Sequence, residues 1–202
     1  MKSEHTKSVL FIGNSFTYYN DLPGTVAEML DKAGFDFQVE SLTKGGWYLH
    51  RYADPSDEMG AKLQADFVGR HWDYLVLQDQ SFNPVKDYED FLGAVKKLCE
   101  LMDYDKLLLY QTWAYEDGSE KLASTGMTYD EMYLALKTSY AKAADEVGGE
   151  LVPVGDWFAE YREKRPEVQL YRETDHYHPS EEGTRLAARV FFKTLTGENW
   201  EN

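Results

Sequence analysis

Short apolar runs alternate with longer amphipathic stretches along most of the chain, and this alternation restricts the fold more than any other feature. Apolar runs bounded by turn-forming residues are typical of buried strands, and the amphipathic stretches between them are typical of helices. Strands that alternate with helices form βαβ units, in which helices cover both faces of a parallel sheet. The predicted strands are residues 8–12, 37–42, 74–77, 106–111 and 150–154.

Turn-forming residues mark the ends of the helices. Pro23 falls in the first turn of the first predicted helix and Gly34 lies just beyond its end, which is the usual placement of both residue types. Gly148 and Gly149 end the longest predicted helix, and Gly197 ends the last one. The predicted helices are residues 22–33, 57–69, 88–102, 129–147, 156–165 and 180–196.

These elements predict an α/β protein, a three-layer α/β/α sandwich built around a five-stranded parallel sheet. The chain has 202 residues, and it contains no internal repeat and no linker rich in Pro, Gly or Ser. A chain of this length can bury a substantial core. We therefore expect a single domain over residues 1–202.

Several polar or small residues follow the predicted strands directly. In a sheet of this kind the ligand lies beyond the carboxyl ends of the strands, so these residues are candidates for a functional site. Ser15 follows the first strand, and Gly45 and Gly46 follow the second. The third strand is followed by residues 78–81, Gln-Asp-Gln-Ser, and the fourth runs into residues 111–113, Gln-Thr-Trp.

Asp175 and His178 lie close together in a turn before the last predicted helix. At this spacing the carboxylate can reach one imidazole nitrogen while the other nitrogen faces the cleft and can take a proton from a serine. With Ser15, the pair supplies the three residue types of a nucleophilic acyl-transfer site. Ordinary turn and capping interactions explain either motif alone, so it is their joint occurrence that favours catalysis.

A metal site formed by Asp175, His176 and His178 is an alternative chemistry. It lacks a third imidazole or a cysteine at recognisable spacing, because His50 and His71 lie in unrelated segments and the only cysteine lies within a predicted helix. We therefore expect neither a metal nor another cofactor. A single cysteine also excludes an intrachain disulfide.

The motifs resemble the sequence blocks of the SGNH (GDSL-type) hydrolases, in the order that this family shows. The resembling segments are Ile-Gly-Asn-Ser-Phe at residues 12–16, the glycine after the second strand, Leu-Gln-Asp-Gln-Ser at residues 77–81 and Asp-His-Tyr-His at residues 175–178. The resemblance covers nearly the whole chain. With Tyr-Gln-Thr-Trp at residues 110–113, it is strongest to a bacterial branch of the superfamily, and it implies the flavodoxin-like SGNH hydrolase fold.

The resemblance also implies roles for the triad. It makes Ser15 the nucleophile, His178 the general base and later the general acid, and Asp175 the residue that orients His178. The residues themselves indicate the same roles. Asn14 stands where the best-known family pattern has Asp, and it keeps a side-chain acceptor that can stabilise the turn.

The family builds its oxyanion hole from the N–H of the nucleophile, a glycine N–H after the second strand and an asparagine side chain after the third. These correspond here to Ser15, Gly46 and Gln80, with Gly45 in place of Gly46 if the alignment is one residue off. Two residues depart from the pattern, since Gln78 stands at the family's glycine and Gln80 at its asparagine. Either glutamine could therefore supply the donor.

Aromatic residues make up 15% of the chain, and several of them follow strands or motifs on the predicted ligand edge. Their amphipathic rings suit the faces of sugars, although packing beneath the loops is an equal alternative. We expect a substrate pocket lined by Trp47, Tyr48, Trp113, Tyr18 and Gln78.

The expected reaction is hydrolysis of a carboxylic ester through an acyl-enzyme, and a small acyl group such as acetyl on a carbohydrate is the preferred substrate. A lipase or thioesterase that acts on longer acyl chains is the alternative within the same class. A glycan-binding module that keeps the scaffold without turnover is the alternative outside it.

Charge and hydropathy restrict the partners. The formal net charge of −15 disfavours nucleic acid and anionic membrane surfaces, and the apolar runs are too short to span a membrane. Residues 1–7 lack the apolar segment of a secretory signal, which favours a cytoplasmic location; a secreted or periplasmic protein whose signal has been removed is the alternative. The oligomeric state is left open.

Overall fold

The computed structural model of the protein describes residues 6–200. Within these residues, five parallel strands form one sheet in the order β2-β1-β3-β4-β5, the flavodoxin-like arrangement. The strands are β1 (Lys7–Gly13), β2 (Phe37–Thr43), β3 (His71–Leu77), β4 (Asp103–Tyr110) and β5 (Glu150–Val152). The predicted five-stranded parallel sheet is therefore confirmed.

Helices cover both faces of the sheet, so the predicted three-layer sandwich is also confirmed. The α-helices of residues 6–200 are α1 (Ser15–Tyr18), α2 (Leu22–Lys32), α3 (Leu49–Tyr52), α4 (Glu58–Asp66), α5 (Asn83–Lys86), α6 (Tyr88–Leu101), α7 (Glu120–Ala123), α8 (Tyr129–Val147), α9 (Val154–Lys164) and α10 (Glu181–Thr196). On one side α10 packs against α2 and α9, and on the other α6 packs against α3, α5 and α8. Right-handed crossovers place the two groups on opposite faces, because the strand order reverses at β1.

Four short helices, α1, α3, α5 and α7, lie in segments predicted as loops. Each is a single turn, and a single turn is too short to show the periodicity by which a helix is recognised in a sequence. Strand β5 also ends earlier than predicted, at Val152 rather than at residue 154. Pro153 has no N–H to continue the ladder, and α9 begins at the next residue.

The inner strands are buried on both faces, which explains their continuous apolar sequences. Val9, Leu10, Phe11 and Ile12 of β1 are all fully buried, whereas a strand with one solvated face would alternate apolar and polar residues. Phe191 of α10 packs on this layer. At the carboxyl ends of the strands the character of the core changes, because buried polar side chains follow the apolar ones: Asn14, Gln78, Asp79, Gln111 and Thr112.

No helix within residues 6–200 is long and apolar enough to cross a membrane.

Replacing Phe191 with Ala tests how α10 is held on the sheet. The Phe191 ring lies 4.9 Å from the rings of both Phe11 and Tyr110, so its removal leaves a cavity between α10 and two strands. We expect the free energy of unfolding, measured with denaturant, to fall by about 3–5 kcal/mol. Leu134→Ala is the control, because Leu134 is 60% exposed and its change should stay within about 0.5 kcal/mol. Equal losses in the two variants would contradict this packing.

Candidate active site

The turn between β1 and α1 places Ser15 at the carboxyl edge of the sheet. Ser15 is the first residue of α1, and Asn14 caps that helix, since its Oδ1 accepts a hydrogen bond from the N–H of Phe16 at 3.2 Å. The Asn14 Nδ2 donates to the carbonyl oxygen of Trp47 at 2.9 Å, which joins this turn to the segment after β2. Asn14 therefore keeps the turn-stabilising role expected for it.

Gln78 lies beneath this turn, and this position corrects the prediction that it lines the substrate pocket. It is only 1% exposed. Its Oε1 accepts hydrogen bonds from the N–H of Asn14 at 2.9 Å and from Thr17 Oγ1 at 2.8 Å, and its Nε2 donates to Asn14 Oδ1 at 2.9 Å. A side chain at Gly13 would collide with this arrangement, because an added Cβ would lie 2.6 Å from Gln78 Oε1. Glycine and glutamine together thus hold the turn that carries Ser15.

Ser15, His178 and Asp175 form a continuous hydrogen-bonded series. The His178 Nε2 lies 2.8 Å from Ser15 Oγ, and the His178 Nδ1 lies 3.1 Å from Asp175 Oδ2. The second carboxylate oxygen of Asp175 accepts the backbone N–H groups of His178 at 2.9 Å and Tyr177 at 3.2 Å. These contacts fix the carboxylate, and the carboxylate in turn fixes the imidazole ring.

The turn that carries Asp175 and His178 is attached to the segment after β4. Its strained residue is His176, which has a left-handed φ of 62°. The carbonyl oxygen of His176 accepts the N–H of Glu116 at 2.9 Å, and its Nδ1 lies 2.6 Å from Glu116 Oε2. These two contacts hold the unusual backbone conformation in place.

Trp113 belongs to this attachment and not to a pocket, contrary to the sequence prediction. It is 0% exposed, and its ring stacks on Phe158 at 4.1 Å and on Phe16 at 4.6 Å. Its Nε1–H donates to the carbonyl oxygen of Tyr177 at 3.0 Å. Trp113 therefore supports the histidine turn from within the core.

Two tyrosine rings flank the imidazole. The ring centroids of Tyr19 and Tyr177 each lie 4.1 Å from that of His178. Burial lowers the pKa of His178 below its ordinary value of 6.5, and it outweighs the opposing effect of the Asp175 carboxylate. Burial alone would raise the pKa of Asp175, but hydrogen bonds from His178 and Tyr177 outweigh it, so the pKa of Asp175 is lowered. At neutral pH the ring is uncharged and the carboxylate is ionised.

A cavity of about 240 Å³ opens at Ser15. Of the predicted residues, Gly45, Gly46, Gln80 and Tyr18 line it together with Ser15 and His178. Tyr18 is 42% exposed and its ring stacks on Tyr19 at 5.4 Å.

The two candidate glutamines differ in what their amides contact. The amide of Gln78 is occupied beneath the turn, whereas Gln80 lines the cavity. The Gln80 Nε2 lies 3.3 Å from Ser81 Oγ, the Gln80 side chain also contacts the hydroxyl of Tyr115, and its Oε1 accepts the N–H of Phe82 at 3.1 Å. The amide donors of Gln80 thus lie at the cavity beside two hydroxyl groups.

Trp47 and Tyr48 do not line this cavity. Two cations lie over the Trp47 ring, with Arg51 Cζ 3.2 Å and Lys44 Nζ 4.0 Å from its centroid. Tyr48 stacks on His50 at 5.4 Å. Both residues lie on the segment after β2, and they serve its packing.

Further residues contact the site although no catalytic, oxyanion or pocket role was predicted for them. Tyr177 and Tyr19 flank the histidine, and both stand next to predicted residues in the sequence, which is the signal that could have identified them. Ser81 lines the cavity, and its Oγ lies 2.7 Å from the hydroxyl of Tyr115. Lys121 comes from α7, with its Nζ 4.9 Å above the Tyr177 ring. No sequence signal identifies Lys121, because α7 lies in a segment read as a loop.

A wider cleft of about 770 Å³ adjoins the cavity and shares Lys121 with it. Its lining residues carry hydroxyl, carboxylate and imidazole groups. The residues are Glu116, Asp117, Gly118, Ser119, Glu120, Lys121, Ser124, Thr174, Asp175 and His176.

The geometry does not favour the alternative in which Asp175, His176 and His178 share a metal ion. The His176 Nδ1 contacts Glu116, whereas Asp175 and His178 contact each other. Over residues 6–200, no group of three or more His, Cys, Asp or Glu side chains is arranged to hold an ion.

Solved structures of known proteins share this fold. The chain is 30% identical to a protein from Slackia heliotrinireducens described as an SGNH hydrolase; the match covers 95% of this chain and 100% of the other, with a TM-score of 0.76. A DUF4886 family protein from Bacteroides uniformis is 23% identical, with 96% and 84% covered and a TM-score of 0.78. An acetylxylan esterase from Geobacillus stearothermophilus is 17% identical, with 100% and 99% covered and a TM-score of 0.65. No family model and no curated protein matches the sequence.

The fold is that of a serine hydrolase. So is the arrangement in which a serine contacts a histidine and that histidine contacts a carboxylate. Within the serine hydrolases, the 30% identity to the whole length of the Slackia heliotrinireducens protein identifies the family. The chain belongs to the SGNH hydrolases and is a serine carboxylic ester hydrolase.

Titration of the imidazoles tests the electrostatics of the site. We expect His178 to titrate below pH 6.5, because burial disfavours its charged form. His71 is the control, because its hydrogen bond with Asp103 raises its pKa above 6.5. The measurement is NMR of the ring resonances between pH 4 and 9, about the ordinary range of histidine pKa values. A pKa of His178 above that of His71 would contradict the conclusion that burial outweighs the effect of Asp175 on the His178 ring.

Proposed function

We propose that Ser15 is the nucleophile of this ester hydrolase, that His178 is its general base and that Asp175 orients His178. One observation carries this proposal, the contact of 2.8 Å between Ser15 Oγ and the Nε2 of an imidazole whose other nitrogen faces a carboxylate. The lowered pKa of His178 supports it, because an uncharged imidazole is able to accept the serine proton at neutral pH.

The oxyanion hole is formed by the backbone N–H groups of Ser15 and Gly46 and by the side-chain amide of Gln80. As the first residue of α1, Ser15 has an N–H without an intrahelical acceptor. Gly46 has a positive φ of 68° in the turn after β2, and Gly45 beside it is the alternative donor. Gln80 is favoured over Gln78 because its amide lies at the cavity.

The reaction has two steps. Ser15 Oγ attacks the carbonyl carbon while its proton passes to His178 Nε2, and the carbonyl oxygen becomes the oxyanion. The bond to the alcohol oxygen then breaks, His178 returns the proton to the leaving alcohol, and an acyl-enzyme remains. In the second step His178 takes a proton from water, the hydroxide attacks the acyl carbon, and the acid leaves as Ser15 regains its proton.

The substrate is a small acyl ester, preferably acetyl, on a carbohydrate. The cavity at Ser15 is small, with a volume of about 240 Å³, which suits a short acyl group. The adjoining cleft offers hydroxyl and carboxylate groups that can bind sugar hydroxyls. The likeness in fold to an acetylxylan esterase also supports this assignment.

Ser15→Ala tests the nucleophile. We expect turnover of p-nitrophenyl acetate and labelling by a fluorophosphonate to be lost, since Ser15 Oγ is the hydroxyl that lies 2.8 Å from His178 Nε2. Ser56→Ala is the matched control, because Ser56 lies exposed in a loop, where its hydroxyl donates to Asp54 Oδ1 at 2.7 Å. It should keep wild-type turnover.

The outcomes separate the alternatives. Turnover that survives in Ser15→Ala and disappears with a chelator would indicate a metal enzyme. A wild-type protein that is neither labelled nor active but binds glycans would be the binding module.

Acyl chain length tests the substrate. We expect kcat/KM for p-nitrophenyl acetate to exceed that for the octanoate by at least about tenfold, because a pocket of restricted size discriminates between chain lengths by about 1–3 kcal/mol and this cavity has a volume of about 240 Å³. An acetylated xylo-oligosaccharide should then be a better substrate than ethyl acetate. A preference for octanoate would favour a lipase or thioesterase instead.

A further inference from the structure

Asp79 is a buried carboxylate to which the reaction assigns no role. It is 0% exposed and lies two residues after the end of β3, between Gln78 and Gln80. Burial raises its pKa, and hydrogen bonds from Asn83, Leu49 and Gln80 oppose that rise. Within the described part of the chain, these hydrogen bonds and not a cation compensate the group. A buried carboxylate is costly unless its lone pairs are satisfied, so what it contacts indicates why it is there.

One oxygen of Asp79 joins the two segments that carry the oxyanion donors. Its Oδ1 accepts the N–H of Leu49 at 2.8 Å and the N–H of Gln80 at 2.7 Å. Leu49 ends the segment after β2 in which Gly46 lies, and Gln80 is itself the proposed side-chain donor. A single shared acceptor therefore links the two segments that carry the donors.

The other oxygen is held by a closed series of contacts. Asn83 Nδ2 donates to Asp79 Oδ2 at 2.8 Å and to Asp90 Oδ2 at 2.9 Å. The same Asp90 oxygen lies 2.9 Å from His50 Nδ1, and His50 follows Leu49 in the chain. The series thus returns to the segment from which it started, and it ties α3, α5 and the start of α6 together.

We propose that Asp79 is a positioning residue that sets the spacing of the oxyanion donors, with Asn83, Asp90 and His50 as its support. This inference rests on the proposed function, because it assumes the oxyanion hole of Gly46 and Gln80. Asp79 acts through these donors, and it does not touch the reacting atoms.

Asp79→Asn tests the inference. The substitution keeps one acceptor for Leu49 and Gln80, but it turns an amide toward the donating amide of Asn83 and so breaks the support. We expect kcat for p-nitrophenyl acetate to fall by roughly tenfold, with KM changed by less than about twofold, because the donors act on the transition state. Affinity for phenylboronic acid should weaken in parallel, since its tetrahedral serine adduct presents an oxyanion to the same donors.

Two reference variants calibrate the effect. Gln80→Ala removes a donor outright and should cost about 10²–10³ in kcat. Asp73→Asn is the control. The Asp73 carboxylate also accepts a backbone N–H, that of Ser8 at 2.7 Å, but Asp73 lies near the amino end of β3, away from the site. This variant should lower the melting temperature and leave kcat per folded molecule unchanged.

The outcomes decide between positioning and mere stabilisation. A folded Asp79→Asn variant with wild-type kcat, or with a loss no greater than that of Asp73→Asn, would overturn the proposal. If Asp79→Asn does not fold, Asp90→Asn is the alternative test, because Asp90 is the more exposed carboxylate that Asn83 contacts. This variant should show a smaller fall in kcat at unchanged KM. Wild-type kcat in Asp90→Asn would then overturn the proposal. A wild-type protein that hydrolyses no ester would instead refute the proposed function.

Discussion

Buried strands that end beneath other elements leave polar backbone groups that water cannot reach, and the rest of this site depends on how they are satisfied. At the junction of β1 and β3, the side-chain amide of Gln78 satisfies these groups. It forms hydrogen bonds with the backbone and side chain of Asn14 and with the hydroxyl of Thr17. Its two ends match an acceptor and donors on the neighbouring turn. The position of Ser15 follows from this match and from the close approach that Gly13 permits.

Two carboxylates near the strand ends are compensated differently. Asp175 is partly exposed and receives hydrogen bonds that lower its pKa, so that it remains an anion beside His178. Asp79 is fully buried, and burial raises its pKa despite three hydrogen bonds. The Asp175 carboxylate favours the charged form of the His178 ring. The Asp79 carboxylate instead accepts the backbone N–H groups of Leu49 and Gln80. The same residue type thus serves two purposes because its surroundings differ.

The sheet and the long helices could be predicted from the sequence, because each has a periodicity or a bounding Gly or Pro residue. The short helices could not be predicted. For the same reason Lys121, which reaches the cavity from α7, was not predicted as a site residue. Side-chain direction was the other limit. Trp113 follows a strand at the ligand edge, as a pocket residue would, yet Phe158 and Phe16 cover its faces. Likewise Gln78 and Gln80 are alternatives in the sequence, and only the contacts of their amides distinguish them.

Ser15 and His178 meet across 163 residues of chain, one after the first strand and the other before the last helix. A nascent polypeptide that has emerged only as far as the sheet therefore carries the serine without its partner. The contact between the serine and the imidazole therefore forms only when the C-terminal segment has packed against the sheet. A chain that has folded only its first strands holds the serine without the histidine.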